Sequence, residues 1–168
     1  MGGAYVGDTI LEIKNQYGYL PEEIYAFEPD SSNLMQLINA FLPEELRKIH
    51  PIAAGLYKED TILRFNEFGN LGSSISENGN CEIKAYALDG HEAFINVSVI
   101  KMDIEGSELD ALKGASKIIE KNKPKLAICV YHNNQDLLNI FNFLKPFGYD
   151  FFMRQHSCSC EETVLYAI

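Results

Sequence analysis

Short apolar runs alternate with longer amphipathic stretches along most of the chain. Apolar runs of strand length lie at residues 24–27, 49–54, 97–104 and 125–131. Stretches with apolar residues on one helical face lie at residues 9–17, 31–42, 107–122 and 134–145. This alternation is typical of a mostly parallel sheet covered by helices on both faces. It predicts an α/β fold and excludes an all-α or all-β domain.

Polar residues at the starts of these helices predict where each one is capped. The predicted N-terminal caps are a Thr9-x-x-Glu12 box, Ser31 or Ser32, and Asn133 or Asn134. Gly18, Pro43, Pro124 and Pro146 are expected to end or limit the four helices.

Two further pairs of segments read as antiparallel strands. Residues 61–65 and 82–88 alternate between apolar and polar side chains, and the Gly/Asn/Ser-rich segment 68–80 is the loop expected between them. Residues 149–154 and 163–168 predict an antiparallel hairpin at one edge of the sheet. Because no repeat or linker interrupts the chain, residues 1–168 are expected to form a single domain.

Charge and composition exclude some classes of function for this chain. The formal net charge of −10, from 14 basic and 24 acidic residues, excludes a domain whose affinity comes mainly from nucleic-acid phosphates. Residues 1–8 lack the pattern of a signal peptide, and no window has the length of a membrane span. We therefore expect a cytoplasmic protein with no membrane or nucleic-acid partner.

The cysteines suggest reduced thiols, because four in a chain of 168 residues are too few and too unevenly placed for a disulfide framework. His156, Cys158 and Cys160 alternate, as metal ligands on a strand would. A fourth ligand is not evident, so no metal site is predicted there.

Charged side chains follow three of the apolar runs. Glu28 follows the first run, Asp103 and Glu105 lie at the end of the run at 97–104, and His132 follows the run at 125–131. Ligands of open α/β sheets bind outside the carboxyl ends of the strands. These residues therefore mark the expected site.

Glu28 lies about 20 residues beyond a turn that contains Gly3 and Gly7, where an acidic residue of such folds binds two ribose hydroxyls. The alternative is a charge that stabilises a helix N-terminus, a role that Asp30 could fill equally well. The turn lacks the G-x-G-x-x-G spacing, which disfavours a dinucleotide-dependent oxidoreductase.

Strand alternation places Lys101, Asp103 and Glu105 on one side of the chain, where charges need a partner or a ligand. The structural alternative is a Lys101–Asp103 ion pair with Glu108 as a helix cap. His132 is the first candidate for a general base because its ordinary pKa lies near neutrality. A structural histidine bonded to a neighbouring carbonyl is the alternative.

Taken in order, several motifs resemble the FkbM methyltransferase family over nearly the whole chain. They are Gly-Ala-Tyr-Val-Gly-Asp-Thr (3–9), Phe-Glu-Pro-Asp (27–30), Ser73-Ser74, Leu88-Asp89, Lys-Met-Asp-Ile-Glu-Gly-Ser-Glu (101–108), Lys113-Gly-Ala, Val-Tyr-His (130–132) and Glu162-Thr-Val-Leu-Tyr-Ala.

The resemblance implies a Rossmann-like class I methyltransferase sheet, S-adenosylmethionine as cofactor, and transfer of a methyl group to a hydroxyl of a sugar, polyketide or similar small molecule. By position, the cofactor would bind Gly3, Ala4, Tyr5, Gly7, Glu28, Pro29 and Asp103. The catalytic residues would be Asp103, Glu105 and His132. Asp103 and Glu105 could instead hold a divalent cation that lowers the pKa of the acceptor hydroxyl. Arg154, His156 and Glu162 are further candidates to contact the methyl acceptor, with solvated loop charges as the alternative.

One departure from the family concerns the start of the chain. The family has an apolar first strand that ends in an acid before the Gly-Ala turn, and here Met1 stands at that position. The expectation is an N-terminally truncated domain without that strand, whose incomplete sheet could pair with a second copy. A catalytically inactive binding module is the alternative function.

Overall fold

The computed structural model describes residues 1–67, 73–76, 78–158 and 162–168, which form a mixed α/β fold. Its α-helices are α1 (Asp8–Tyr17), α2 (Ser31–Ala40), α3 (Glu108–Lys113), α4 (Ser116–Asn122) and α5 (Asp136–Leu144). Its strands are β1 (Ile24–Phe27), β2 (Ile49–Ile52), β3 (Gly55–Leu56), β4 (Thr61–Asn66), β5 (Ser74–Ile75), β6 (Cys81–Tyr86), β7 (Val99–Met102), β8 (Lys125–Cys129), β9 (Phe151–Gln155) and β10 (Thr163–Ala167).

The strands form three groups. Strands β1 and β2 are parallel, with Ile24 opposite Ile49. A four-stranded sheet has the order β7-β8-β10-β9, in which β7 and β8 are parallel and β10 is antiparallel to both of its neighbours. The predicted C-terminal hairpin is thus present, with β9 at the edge of that sheet. The third group has the order β3-β6-β4-β5, and β5 lies within the segment that was predicted to be a loop.

The chain divides into two compact units. Unit 1 comprises Met1–Gly55 and Ile62–Lys84, and unit 2 comprises Leu56–Thr61 and Ala85–Ile168. The core of unit 1 is formed by Ala4, Ile10, Leu20, Ile24, Ala26, Leu37, Phe41 and Ile49. The largest fully buried apolar side chains of unit 2 are Met102, Leu112, Ile119, Leu126, Ile128, Ile140 and Leu144. A single domain over residues 1–168 stays a prediction.

The helix predicted over 107–122 is two helices, because the chain passes another backbone segment at Gly114. A Cβ atom at Gly114 would lie 2.1 Å from the carbonyl oxygen of Tyr57. Helix α3 ends there and α4 begins two residues later. The Asp89 carboxylate accepts hydrogen bonds from the N–H groups of Lys117 and Ile118, at 2.9 and 3.0 Å, and so stabilises the start of α4.

The three predicted N-terminal caps are wrong, since a different residue stands at the cap position of α1, α2 and α5. Helix α1 begins one residue before Thr9 and is preceded by Gly7 in a left-handed conformation, so the Thr9 side chain caps nothing. Helix α2 is capped by Asp30 rather than by a serine. Helix α5 follows Gln135, not an asparagine. Gly18 ends α1 as expected.

The described cysteines Cys81, Cys129 and Cys158 are free thiols, as predicted. Cys160 and residues 68–72 and 77 of the predicted loop lie outside the described residues. Across the described part of the chain, every helix is too short or too polar to span a bilayer.

Candidate functional site

The glycine turn of unit 1 has three residues in left-handed backbone conformations. These are Gly3, Tyr5 and Gly7, with φ of 66°, 48° and 83°. A Cβ atom at Gly7 would lie 2.7 Å from Cε2 of Phe41, so glycine is needed there for helix packing as well as for the turn. The N–H of Ala4 donates to the carbonyl of Phe27, which holds the turn beside the end of β1.

The Glu28 carboxylate, which follows β1, is bonded to that turn. It is 5% exposed, and its Oε2 accepts a hydrogen bond of 2.8 Å from the N–H of Tyr5. Its Oε1 accepts one of 3.0 Å from the N–H of Asp30. Burial raises the pKa of Glu28 above its ordinary value, although the two N–H groups oppose that shift. Each carboxylate oxygen can accept two hydrogen bonds, so acceptor capacity remains on both.

Asp30 has the structural role that was the alternative for Glu28. It is fully buried, and its Oδ1 accepts hydrogen bonds from the N–H groups of Ser32 and Asn33, at 3.0 and 3.1 Å. Its Oδ2 accepts a third, of 2.8 Å, from the Ser73 hydroxyl. Asp30 therefore caps α2 and binds Ser73, while Glu28 binds the glycine turn.

The candidate catalytic residues of unit 2 meet at one edge of the four-stranded sheet. Strands β7 and β8 are parallel neighbours, with Met102 opposite Ile128, so the residues that follow them emerge at the same edge. Asp103 follows β7 and His132 follows β8. Between β7 and α3 the chain turns through Glu105 and Gly106, both left-handed with φ of 55° and 93°.

The turn brings Asp103 and Glu105 to one side of the His132 ring. Nε2 of His132 lies 3.4 Å from Oδ1 of Asp103 and 3.7 Å from Oε2 of Glu105. Asp103 also accepts a hydrogen bond of 3.0 Å from the Tyr131 hydroxyl. The structure thus brings together the three residues predicted as catalytic. The ion pair that was the structural alternative is present too, because Nζ of Lys101 lies 3.5 Å from Oδ2 of Asp103.

A further carboxylate lies on the opposite side of the ring. Oε1 of Glu108 is 3.1 Å from Nδ1 of His132, and Glu108 is fully buried. Sequence reasoning considered Glu108 only as a helix cap and did not consider Tyr131 beyond its motif. The signals were a glutamate in the first turn after the charged strand end and a tyrosine directly before the histidine.

The carboxylates around His132 raise its pKa by more than burial lowers it. Burial lowers the pKa of the imidazole, but Glu108, Glu105 and Asp103 together raise it above its ordinary value. Burial also raises the pKa of Glu105, and His132 partly offsets that shift. The arrangement can accept a proton at His132 and stabilise the imidazolium that results.

The same carboxylates offer ligand atoms for a cation. Among the described residues, two groups have ligand atoms within 4.8 Å of one another: Asp103, Glu105 and His132, and Glu108, His132 and Asp136. Two carboxylate oxygens and one imidazole nitrogen suit a divalent cation of the first transition-metal row. This geometry is compatible with the cation alternative but does not require it.

The C-terminal hairpin presents the remaining candidate residues to solvent. Arg154 and His156 are exposed, and the His156 Nε2 lies 2.8 Å from the Tyr166 hydroxyl. Glu162 is exposed as well, with a left-handed φ of 65°. Contact of these residues with an acceptor stays a prediction.

Comparisons with known proteins agree with the motifs. The profile of the Methyltransferase FkbM domain family matches residues 2–151. The crystal structure of methyltransferase FkbM from Methylobacillus flagellatus KT is 30% identical to this chain, with a TM-score of 0.80. The match covers 99% of this chain but 42% of that protein, so the chain spans less than half of its relative's length.

A second solved structure shares the fold alone. SMU.1697c from Streptococcus mutans, a candidate methyltransferase in complex with SAH, is 13% identical, with a TM-score of 0.54, over 99% of this chain and 86% of that protein. Among curated proteins, none is significantly similar to the chain. The match to the family profile and the 30% identity over nearly all of this chain carry the conclusion. The chain belongs to the FkbM methyltransferase domain family.

Proposed function

We propose that this chain takes part in the transfer of a methyl group from S-adenosylmethionine to a hydroxyl oxygen of a small molecule such as a sugar or polyketide. Its membership of the methyltransferase family and the SAH complex of SMU.1697c support the cofactor. We also propose the Rossmann-like class I sheet. The observation that carries the proposal is the His132 ring, held among carboxylates at the end of two parallel strands.

Glu28 and the glycine turn fit an adenosine ligand. The Glu28 carboxylate holds the turn through the N–H of Tyr5 and retains acceptor capacity on both oxygens. That capacity matches the two adjacent hydroxyl donors of a ribose. Gly3, Ala4 and Gly7 would let the backbone approach the ligand closely, with Pro29 as a further contact that the family resemblance implies.

His132 is proposed as the general base. S-adenosylmethionine supplies an electrophilic methyl group on a sulfonium. Nε2 of His132 would accept the proton of the acceptor hydroxyl as its oxygen takes up that methyl group, and the sulfur would leave with the C–S electron pair as S-adenosylhomocysteine. Asp103 and Glu105 would stabilise the imidazolium, since both lie within 4 Å of Nε2.

A cation-assisted route is the alternative for the same reaction. A divalent ion on Asp103, Glu105 and His132 would lower the pKa of the acceptor hydroxyl and leave His132 without a role as base. The two routes differ in their response to chelation. An inactive binding module is the alternative function.

The test is incubation of the chain with methyl-labelled S-adenosylmethionine and a panel of sugar and polyketide alcohols. We expect labelled product, and a rate that increases with pH through the pKa of His132, because the base acts when unprotonated. His132→Asn should lower the rate about 100-fold or more. Cofactor binding without transfer to any alcohol would favour the binding module, and absence of cofactor binding would refute the proposal.

A further inference from the structure

We propose that Glu108 is the positioning residue of this site. Its carboxylate accepts a hydrogen bond from Nδ1–H of His132, which directs the lone pair of Nε2 to the acceptor. This inference rests on the proposed function for its catalytic meaning. The geometry itself lies entirely within unit 2.

Glu108 differs from the other carboxylates of the cluster in its burial. It is 0% exposed, whereas the side chains of Asp103 and Glu105 are 32% and 34% exposed. Its Oε1 accepts a hydrogen bond of 2.7 Å from the N–H of Ile104, but its Oε2 has no hydrogen bond among the described residues. A buried carboxylate without a cationic or hydrogen-bonding partner is costly. His132 is the ionisable donor beside it, at 3.1 Å.

The two nitrogens of the His132 ring face different surroundings. Nδ1 faces the buried Glu108, and Nε2 faces the partly exposed Asp103 and Glu105 at longer distances. Both nitrogens are buried, and neither has an aligned hydrogen bond within the described part of the chain. Nδ1 and Oε1 of Glu108 are already within hydrogen-bonding distance at 3.1 Å, so reorientation of the ring would form the bond. Such a bond fixes the tautomer that leaves Nε2 free to accept a proton.

The other charged groups around the ring are already engaged elsewhere. Asp103 accepts a hydrogen bond from Tyr131 and pairs with Lys101. Asp136 accepts bonds from the N–H and the side-chain amide of Asn133. Glu105 lies on the Nε2 side. Glu108 is therefore the carboxylate available to Nδ1.

The test reads the tautomer directly, by ¹⁵N NMR of the histidine-labelled 168-residue chain at a pH above the pKa of His132. We expect neutral His132 to be protonated at Nδ1 in the wild-type chain. Protonation at Nε2 would overturn the proposal, and this measurement needs neither a variant nor methyl transfer. A chain that fails to bind S-adenosylmethionine would refute the proposed function and leave the tautomer result standing.

A variant links the tautomer to turnover. Glu108→Gln has nearly the same shape and should lose the preference for Nδ1–H, with kcat falling about 10- to 100-fold and the KM for the acceptor unchanged. Asp110→Asn is the matched control, since Asp110 lies on the same helix and pairs with Lys113 outside the cluster. It should change neither quantity. A Glu108→Gln chain that retains the wild-type tautomer and kcat would show that Glu108 is merely buried.

Discussion

The acceptor capacity of Glu28 allows the effect of its removal on cofactor binding to be calculated. Its carboxylate has about four acceptor positions. Two are occupied by the N–H groups of Tyr5 and Asp30, and the Asn33 side chain is a further donor beside the carboxylate, which leaves at most two for the ribose hydroxyls. A hydrogen bond to a charged group contributes about 1.5 to 3 kcal/mol. Two such bonds amount to at least about 3 kcal/mol, and Glu28→Ala should therefore weaken binding of S-adenosylmethionine about 100-fold or more.

Glu28→Ala should also lower stability, because the N–H groups of Tyr5 and Asp30 lose their acceptor. The loss is limited by the cost of burying the carboxylate, which is the cause of its raised pKa. We expect about 1 to 3 kcal/mol, a decrease in Tm of a few degrees or more. Calorimetry well below the Tm separates weaker binding from unfolding. Glu28→Gln keeps one carbonyl oxygen and should give an intermediate affinity.

Glu22→Ala is the matched control, because Glu22 is an exposed glutamate just before β1. It should leave both affinity and Tm unchanged. The raised pKa of Glu28 adds a test by pH: affinity should decrease as the pH falls through that pKa, since the protonated carboxyl is a poorer acceptor. Equal affinities in the wild-type and Glu28→Ala chains would refute the ribose role.

Three further predictions concern unit 2. Asp103→Asn and Glu105→Gln should each lower methyl transfer about 10-fold or more and keep the Tm close to that of the wild type, because both side chains lie at the sheet edge outside the core; loss of folding in both, seen by circular dichroism, would favour a structural role. Methyl transfer should survive thorough chelation if His132 is the base, and activity that disappears with EDTA and returns with Mn²⁺ would establish the cation route. Gly114→Ala should lower the free energy of unfolding by about 1 to 3 kcal/mol, because its Cβ would collide with the carbonyl of Tyr57. Gly90→Ala is the control and should have little effect on the Tm, because the nearest atom to its Cβ would be 3.7 Å away.

Three of the strands were predictable because each lies in a short apolar run of the sequence. Strands β1, β7 and β8 all lie inside the predicted segments. The helix caps were not predictable from the sequence. The choice between neighbouring residues such as Asp30 and Ser31 depends on where the first helical turn forms. The break at Gly114 depends on Tyr57, which is distant in sequence, and no local pattern reveals it.

The site was predictable to the same extent as the strand ends. Strand alternation identified Asp103, and the end of β8 identified His132. The position of Glu108 depends on the left-handed turn at Glu105 and Gly106, which reverses the chain so that the first turn of α3 packs against the histidine. Such a backbone conformation at a non-glycine residue is not evident from one sequence.

The acidic residues of the family motifs divide by what their oxygens contact. Asp30 and Asp89 accept hydrogen bonds from backbone N–H groups at the starts of α2 and α4, so they stabilise helices. Each oxygen of Glu28 accepts one backbone N–H and retains acceptor capacity, and the carboxylates around His132 face an ionisable ring. A motif residue whose oxygens are saturated by backbone donors has a sufficient structural reason for its identity. An acid with unused acceptors at a strand end is explained better by a ligand. On this reasoning the reacting groups belong to the second class. Substitution of Asp30 or Asp89 should lower the stability of the chain and should not act directly on the rate of methyl transfer.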